Sequence, residues 1–493
     1  MCGIAVIQGR HDEPALNRML ERLNHRGPDD RGTYCLPDAS LGQVRLSIID
    51  LETGHQPLVD ATAGQAIVYN GEVYNFRALR ERLQGTYRFH TRTDTEVILR
   101  LYQDRGAQCV EELDGMFAFA IYDNGKVLLA RDRLGIKPLY YGTDVQGGVV
   151  FASELKALHA CHNLREFPPG NLYDSLTGFR PYYSIPKRQP LARSIEEASG
   201  LLRKVLQEAV IKRLVADVPV GVFLSGGLDS SIIAALMREE IPDLHSFAVG
   251  MDGAPDLAAA REVARHLGTH HHEYIYTREE MLQLLSSVIY YLESFDMPLV
   301  RSAIPGYIVS GLAAKHVKVI LTGEGSDELF SGYHHLKAID SPEELSRELH
   351  AITSRLHNTN LLRTDRMSMA HSIEARVPFL DPSVIAVASS LSMQLLQPSD
   401  GQMEKWLLRK AFEGFLPPAI VWRRKQKFSE GAGSMDILRV TAEESISDKA
   451  FTEEVNEAPV TIRSKEELLY YRLFCEHHGV PSSPDLIGQT LRY

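Results

Sequence analysis

The chain has 493 residues, of which 44% are hydrophobic and 24% are charged, a composition typical of a soluble globular protein with two or three domains. Its net charge of −11 argues against general nucleic-acid binding. No apolar run approaches the roughly 18 residues of a membrane span, and the N-terminus lacks a signal-peptide pattern. The five cysteines are scattered without metal-type spacing, which is typical of a reducing compartment. We therefore predict a cytoplasmic protein that binds neither nucleic acid nor membrane.

The chain begins Met1-Cys2-Gly3-Ile4, so a thiol lies one residue from the start. If Met1 is removed, Cys2 carries both a nucleophilic sulfur and a free α-amine. That amine has an ordinary pKa of about 7.7–8.0 and can accept the proton of its own thiol. An internal cysteine is more commonly a small buried hydrophobe. The position of Cys2 is what favours a nucleophile.

Short apolar or alternating runs through about residue 185 predict a β-rich first half. Strands are predicted at 66–69, 116–122 and 126–130. Apolar residues at three- and four-residue steps predict helices at 14–23, 76–83 and 94–105.

Polar clusters in this half are suited to binding an amide substrate. The run Asn70-Gly71-Glu72 follows a predicted strand, and an Asn side-chain amide beside a Gly backbone N–H is a candidate oxyanion hole. Taken alone, Asn-Gly is more often a hairpin turn. Arg45 and Asp94 are suited to the two charged ends of an amino acid, although each would be a surface charge in most proteins. Only their combination with Cys2 favours a catalytic site.

This combination resembles the glutaminase domain of class II amidotransferases, which are N-terminal-nucleophile enzymes. The resemblance rests on the N-terminal Cys2 and on four further motifs, at 24–29, 45–50, 69–75 and 93–96. It implies an α+β sandwich of αββα layers in which Cys2 attacks the side-chain amide of glutamine. It also implies that Asn70 and Gly71 stabilise the oxyanion. The glutamine-binding residues would be Arg45, Asn70, Gly71, Glu72 and Asp94.

The segment 184–191 has two prolines and no periodicity, which predicts a linker. We predict a first domain at 1–185, a linker at 186–193 and a second domain at 194–493. Helices predicted at 195–214, 231–238 and 255–267 alternate with strands at 220–224, 246–249, 272–275 and 317–321. This order predicts an α/β domain with a doubly wound parallel sheet, followed after about residue 340 by a mostly helical part.

Two loops of the second half are suited to phosphates. The run Ser225-Gly-Gly-Leu-Asp-Ser-Ser231 lies between a strand and a helix, where glycine N–H groups, hydroxyls and the helix N-terminus favour an anion. The alternative is a turn with a helix cap. A second loop, 322–328, follows another strand, so both lie at the ligand-binding edge of a parallel sheet. Asp229 and Asp327 would then share Mg²⁺ with the phosphates.

The second half resembles the ATP-pyrophosphatase ligases, and in particular the synthetase domain of glutamine-hydrolysing asparagine synthetases. The matching motifs lie at 225–230, 246–250, 323–328, 374–381 and 424–429. The resemblance implies that Glu324 supports formation and amination of an acyl-adenylate and that Lys425 stabilises charge on the α-phosphate. The implied ATP-binding residues are Leu224, Ser225, Gly226, Gly227, Asp229, Ser230, Val249, Thr322 and Gly323.

One segment departs from that family. Where its members have a Thr-Thr pair that helps to bind aspartate, this chain has Pro298-Leu299, although Arg301 remains to hold a carboxylate. Aspartate is the acceptor that the resemblance favours, with ammonia passing through an internal tunnel to give asparagine, glutamate, AMP and pyrophosphate. The alternatives are amidation of another carboxylic acid, as in a natural-product or cell-surface precursor, and a non-catalytic nutrient sensor. The assembly state, including a homodimer, stays open.

Overall fold

Three β-sheets organise the computed structural model, which describes residues 2–397, 403–425, 435–481, 486–488 and 490. The strands are β1 (Cys2–Gln8), β2 (Asp30–Leu36), β3 (Ala39–Arg45), β4 (Leu58–Asp60), β5 (Gln65–Val73), β6 (Gly115–Asp123), β7 (Lys126–Arg131), β8 (Tyr140–Thr143), β9 (Val149–Ala152), β10 (His162–Glu166), β11 (Asn171–Asp174), β12 (Gly178–Pro181), β13 (Val220–Phe223), β14 (His245–Gly250), β15 (His270–Ile275), β16 (Val319–Leu321) and β17 (Glu374–Arg376).

The described residues also form α-helices. They are α1 (Glu13–Leu23), α2 (Phe76–Leu83), α3 (Asp94–Arg105), α4 (Cys109–Glu112), α5 (Ile195–Lys212), α6 (Leu228–Glu240), α7 (Pro255–Leu267), α8 (Arg278–Leu292), α9 (Met297–Ala313), α10 (Ser326–Leu329), α11 (Pro342–Ser354), α12 (Asn360–Met369), α13 (Pro382–Ser389), α14 (Met393–Leu396), α15 (Trp406–Ala411), α16 (Pro418–Val421), α17 (Met435–Ser445), α18 (Asp448–Glu457) and α19 (Lys465–His478). Among the described residues, none of these helices is long and apolar enough to cross a membrane.

The first half is a four-layer sandwich. Two six-stranded antiparallel sheets, ordered β10-β8-β9-β1-β3-β2 and β12-β11-β7-β6-β5-β4, bury an apolar layer between them that includes Ile4 and Val68. The outer face of the first sheet packs on α1, and that of the second packs on α2 and α3. Successive side chains of a strand point to opposite faces, so each strand contributes to two of these layers. The predicted αββα sandwich is confirmed.

The second half contains a five-stranded parallel sheet in the order β15-β14-β13-β16-β17. Its two faces belong to separate apolar cores: Val222 and Leu321 pack on the face that α5 and α6 cover, whereas Ile320 packs on the face that α8 and α9 cover. The chain order changes direction between β13 and β16. In doubly wound folds, ligands bind at the carboxyl ends of the strands at such a point. The predicted doubly wound sheet is confirmed.

Local capping signals fix several helix starts. Ser194 and Glu197 form a reciprocal capping box at the start of α5, which satisfies backbone N–H groups that the helix leaves free. The helix predicted at 231–238 begins earlier, at Leu228, because the loop after β13 needs only Leu224–Gly227 before the helix starts. The strand predicted at 317–321 is shorter, Val319–Leu321.

Candidate active sites

Cys2 lies at the start of β1, where it is opposite Arg45 of β3 and almost fully buried. Its backbone N–H donates to Oδ1 of Asn70 at 3.0 Å. The Nδ2 atom of Asn70 is buried and has no hydrogen-bond partner among the described residues. A buried unpaired donor is costly in a folded protein and usually marks a place where a ligand or water supplies the acceptor. The amide donor predicted for the oxyanion hole is therefore beside Cys2 and free to bind.

The sequence predicted that the Asn-Gly pair follows a strand. In the structure the pair lies inside a strand and does not form a turn. Asn70, Gly71 and Glu72 all lie within β5, where Gly71 pairs with Phe117 of β6. Gly71 has a φ of 155°, and a Cβ built on it would lie 2.1 Å from the Met116 carbonyl oxygen. Only glycine fits this close approach of two strands. Cross-strand pairing thus outweighs the local turn preference of the Asn-Gly sequence.

One pocket collects most of the predicted glutamine-binding residues. Its lining includes Cys2, Arg45, Gly71, Glu72 and Asp94. Asp94 begins α3, whose first turn is capped by the Thr93 hydroxyl, so the cap fixes the position of the carboxylate.

Hydrogen bonds fix the positions of the two charged side chains of this pocket, Arg45 and Asp94. An Nη of Arg45 donates to the carbonyl oxygens of Ile49 and Asp50, at 3.1 and 2.7 Å. Asp94 accepts from the Tyr69 hydroxyl at 2.8 Å and from the Val73 N–H at 3.0 Å. A guanidinium and a carboxylate thus line the same pocket as the thiol, an arrangement suited to an α-amino acid.

The pocket is poorly solvated, and its ionisable groups respond accordingly. Burial raises the pKa of the Cys2 thiol, opposed by the Leu46 N–H and the Arg45 guanidinium. Burial also raises the pKa of Asp94. A cationic ligand group beside Asp94 would favour its carboxylate form, because an opposite charge lowers a carboxyl pKa. The thiol needs a base to become a strong nucleophile, since the thiolate is the reactive form.

The predicted phosphate loop begins directly after β13 and leads into α6, whose N-cap is Gly227. The Gly227 N–H donates to Oγ of Ser225 at 3.3 Å, and Oγ of Ser230 lies 3.2 Å from Oγ of Ser225. Leu224 is buried, and its N–H donates to the Phe247 carbonyl of the neighbouring strand. The loop is therefore a compact turn with hydroxyls at the opening of a helix, which favours an anion.

The loop after β16 lies against the phosphate loop. Gly323 approaches so closely that a Cβ built on it would lie 2.7 Å from the Cβ of Asp229. Ser326 donates to Asp229 Oδ1 at 2.8 Å. This contact follows from the adjacency of β13 and β16, whose carboxyl ends meet at one edge of the sheet. Thr322 follows β16, and Val249 lies near the end of β14.

Asp229 and Asp327 converge on one cation. Nζ of Lys405 lies 2.5 Å from Oδ2 of Asp229 and 2.6 Å from Oδ1 of Asp327. Lys425 also pairs with Asp327 and donates to the Gly332 carbonyl at 3.0 Å. Burial opposes ionisation of Asp327, but the two ammonium groups outweigh it and hold its pKa below the usual range. Two carboxylates and two lysines therefore lie at the predicted phosphate site.

Glu324 and Arg301, two further predicted residues, are paired with other side chains. Glu324 forms an ion pair with Arg363 of α12, which also donates to the Ser302 hydroxyl at 3.0 Å. Arg301 binds both carboxylate oxygens of Glu466 in α19, at 2.7 and 2.5 Å. Pro298 lies in the first turn of α9, and Leu299 is buried in the apolar core. Pro298 and Leu299, which replace the Thr-Thr pair of the family, therefore belong to the helix start and the apolar core. The Arg301 guanidinium is bound by a carboxylate of the chain itself, that of Glu466.

Buried charges connect the two candidate sites. Nε of Arg26 donates to the Cys2 carbonyl at 3.0 Å, and its Nη1 binds Asp365 of α12 at 2.8 Å. From the parallel sheet, Arg376 of β17 reaches Glu72 of the Cys2 pocket at 3.3 Å. The Arg376 carbonyl accepts from the Thr322 N–H at 3.0 Å. Helix α12 and strand β17 therefore each contact both sites.

Comparisons with known proteins agree with this two-site arrangement. The glutamine amidotransferase domain family matches residues 1–197, and the asparagine synthase family matches residues 201–350 and 335–478. The chain is 39% identical to an asparagine synthetase [glutamine-hydrolyzing] of Triphysaria versicolor, over 99% of this chain and 88% of that protein. It is 40% identical to asparagine synthetase B of Escherichia coli, over 95% and 89% of the two chains. The chain belongs to the glutamine-hydrolysing asparagine synthetase family.

A third relative, asparagine synthetase 2 of Arabidopsis thaliana, is 38% identical over 100% of this chain and 91% of its own length. Among solved structures, a glutamine phosphoribosylpyrophosphate amidotransferase from B. subtilis is 21% identical, with a TM-score of 0.33, over 51% of this chain and 67% of that one. The family assignment rests on the sequence matches. Those matches confirm the predicted resemblance, enzyme class and amidotransferase-synthetase combination.

Three charged residues that contact the candidate sites had no predicted role. Lys405 lies in no motif, and no sequence signal distinguishes it from a surface lysine. Arg363 and Arg376 are buried or half-buried charges on short elements. For Arg376 a signal exists: Glu374-Ala-Arg376 alternates charges on a strand inside an otherwise apolar region. Of the predicted motif at 424–429, residues 426–429 lie outside the described part of the chain.

Proposed function

We propose that the protein hydrolyses glutamine at Cys2 and transfers the ammonia to a β-aspartyl adenylate formed from aspartate and ATP. Attack of the aspartate β-carboxylate on the α-phosphate of ATP releases pyrophosphate and forms the adenylate. Ammonia then attacks the acyl carbon and loses a proton, and AMP leaves with the bridging oxygen that came from the aspartate carboxylate. The products are asparagine, glutamate, AMP and pyrophosphate.

The observation that carries the proposal is that buried contacts join the two candidate sites. The Cys2 thiol, Arg45 and Asp94 line one pocket, and Asn70, whose Nδ2 is unpaired among the described residues, contacts the Cys2 backbone. The phosphate loop and its neighbouring acidic loop lie at the switch point of the parallel sheet. Arg376 contacts Glu72 of the first site and, through its carbonyl, Thr322 of the second. An enzyme that passes ammonia internally needs such a joined arrangement.

In the glutaminase step, Sγ of Cys2 attacks the amide carbon of glutamine while its proton moves to the α-amine, which requires removal of Met1. Nδ2 of Asn70 and the Gly71 N–H donate to the oxyanion that forms. Arg45 binds the glutamine carboxylate, and Asp94 with Glu72 binds the α-ammonium group. Ammonia leaves with a proton from that amine, and water hydrolyses the thioester to glutamate.

In the synthetase step, the loop at 224–230 holds the pyrophosphate part of ATP, and Val249, Thr322 and Gly323 contact the rest of the nucleotide. Lys425 stabilises the charge that develops on the α-phosphate. Glu324, held by Arg363, lies beside the acyl group. The Asp229 and Asp327 carboxylates fit Mg²⁺, because both already converge on a single cation. When bound, Mg²⁺ would neutralise charge on the phosphate oxygens.

The experiment that tests the proposal is pyrophosphate release by the full chain with ATP and Mg²⁺ across a panel of carboxylic acids. We expect aspartate to support release and asparagine to accumulate. Release that depends on a different carboxylic acid, and not on aspartate, would replace the asparagine assignment with the alternative acceptor. No release with any acid would favour a binding or sensing function.

We predict that Asn70→Ala lowers the glutaminase kcat about 10²- to 10³-fold, since removal of one oxyanion-hole donor costs that much in other enzymes. The KM for glutamine should change little, because the donor acts mainly on the transition state. Steady-state glutamate formation measures both constants. Asn75→Ala is the matched control, because its amide binds the Glu112 carbonyl at 2.8 Å instead. Equal kcat values for Asn70→Ala and the wild type would remove Asn70 from the oxyanion hole.

Arg301→Ala should raise the KM for aspartate roughly tenfold to a hundredfold, because a buried hydrogen bond to a charged group contributes about 1.5–3 kcal/mol. The KM for ATP should stay near the wild-type value. Glu466 contacts the same guanidinium, so Glu466→Gln, which weakens this internal competitor, should lower the KM for aspartate. An unchanged KM in Arg301→Ala would show that Arg301 acts only as the structural partner of Glu466.

Three further assignments belong to this proposal. We assign the domains to 1–185 and 194–493 with a linker at 186–193, which the family matches at 1–197 and from 201 support. The five cysteines are all unpaired, which supports a reducing, cytoplasmic location. A homodimer is the proposed assembly, and sedimentation analysis of the full chain would test it.

A further inference from the structure

Three histidines from separate segments meet near the amino ends of the parallel strands. His245 begins β14, His272 is the third residue of β15, and His316 lies three residues before β16. The phosphate loop follows the carboxyl end of β13 in the same sheet. Because all strands of the sheet are parallel, the three imidazoles lie toward the edge opposite the ATP-binding loops. None of them belongs to either site described above.

The three rings are close enough to share one ligand. Nδ1 of His245 lies 2.9 Å from Nε2 of His272. One ring nitrogen from each of the three histidines lies within 4.8 Å of the other two. The rings of His272 and His316 stack with centroids 3.9 Å apart, and those of His245 and His272 stack at 5.1 Å. Phe247 contributes an apolar wall, with its ring 5.1 Å from that of His272.

We propose that His245, His272 and His316 bind a divalent first-row transition-metal ion of the Zn²⁺ type through their ring nitrogens. Zn–N bonds are about 2.0–2.1 Å long, so two ligand nitrogens of a tetrahedral site lie about 3.3 Å apart. In the cluster, the His245 and His272 nitrogens lie 2.9 Å apart, and the nitrogens of all three histidines lie within 4.8 Å of one another. Imidazole suits Zn²⁺, Cu²⁺ and Ni²⁺. Three histidines leave one coordination position for water.

The surface beside the cluster adds further polar groups. The His270 ring centroid lies 5.3 Å from that of His245, and Nε2 of His270 lies 3.6 Å from Oδ1 of Asp243. His316 is exposed and His245 and His272 are partly buried, so an ion can enter from solvent. A bound ion would join β14, β15 and the segment before β16. It would stabilise the folded chain, because the unfolded chain does not hold the three rings together.

Zn²⁺ titration of the chelator-treated full chain tests the site. All proteins carry Cys2→Ala, so that the predicted nucleophile does not bind the metal. We expect His272→Ala and His316→Ala each to weaken binding of one Zn²⁺ equivalent at least tenfold, measured by competition with a chromophoric chelator. His316→Ala changes an exposed side chain and should fold normally. His159→Ala, at an exposed position of the first half, is the matched control and should bind like its parent.

Two readouts independent of activity accompany the titration. Zn²⁺ should raise the Tm of the parent and of the His159 variant, and should raise the Tm of His316→Ala less. Co²⁺ should give visible absorption bands in the parent that are lost in His272→Ala. Equal Zn²⁺ affinity and stoichiometry in the parent and in His316→Ala would overturn the proposal. The result does not depend on the proposed reaction, since no substrate is present.

Discussion

Cys2→Ala should abolish glutamine-dependent asparagine formation while ammonia-dependent formation continues near the wild-type rate. The thiol forms the covalent intermediate, so its loss removes the glutaminase step rather than slowing it. Most groups assigned to ATP lie in loops that follow strands of the parallel sheet, and Cys2 lies on an antiparallel sheet. The measurement is asparagine formation with glutamine and with ammonium chloride as alternative nitrogen donors.

Cys35→Ala is the control for this experiment, because Cys35 lies in the same sheet as Cys2, on β2, with β3 between β2 and β1. It should retain both activities. A folded Cys2→Ala protein that still uses glutamine would contradict the assigned nucleophile. Loss of the ammonia-dependent reaction would contradict the separation of the two sites.

Asp229→Asn and Asp327→Asn should each lower Mg²⁺-dependent pyrophosphate release at least about a hundredfold, with glutamine hydrolysis retained. Metal charge at a reacting phosphate is worth several kcal/mol, and each 1.36 kcal/mol is a tenfold change in rate. Each substitution keeps the shape of the side chain and removes one of the two carboxylates that face Lys405. The measurement is pyrophosphate release at saturating aspartate as Mg²⁺ is varied.

An exposed carboxylate provides the matched control. Asp252 lies at the surface of the loop after β14, and Asp252→Asn should release pyrophosphate at the wild-type rate. Wild-type adenylation in Asp229→Asn or Asp327→Asn would show that the two loops do not form the phosphate site.

Local signals predicted the elements well where the determinants are close in sequence. Apolar residues at three- and four-residue steps predicted a helix at 94–105, and α3 runs over those residues, with Thr93 as its N-cap. The Asn70-Gly71 pair was placed wrongly because its local turn preference competes with pairing to β6, about 47 residues away along the chain. The glycine is required by the approach of that strand, which the local sequence does not show.

Contacts between distant segments could not be predicted. The Arg301–Glu466 pair joins residues 165 positions apart, and Lys405 reaches Asp229 across 176 positions. No periodicity or spacing in the sequence indicates either pair, because a charged side chain in one helix or loop has many possible partners. The three-histidine cluster likewise depends on the packing of α9 beside β14 and β15.

The most direct test of the central claim follows the nitrogen. The wild-type enzyme is given ATP, Mg²⁺, aspartate and glutamine labelled with ¹⁵N in its amide, in the presence of excess unlabelled ammonium, and the products are analysed by mass spectrometry. We predict asparagine whose amide is enriched in ¹⁵N well above the bulk ammonia pool, formed with equal amounts of AMP and pyrophosphate. Glutamate without labelled asparagine, or asparagine labelled only as the bulk ammonia pool dictates, would contradict internal transfer from the Cys2 site to an aspartyl adenylate.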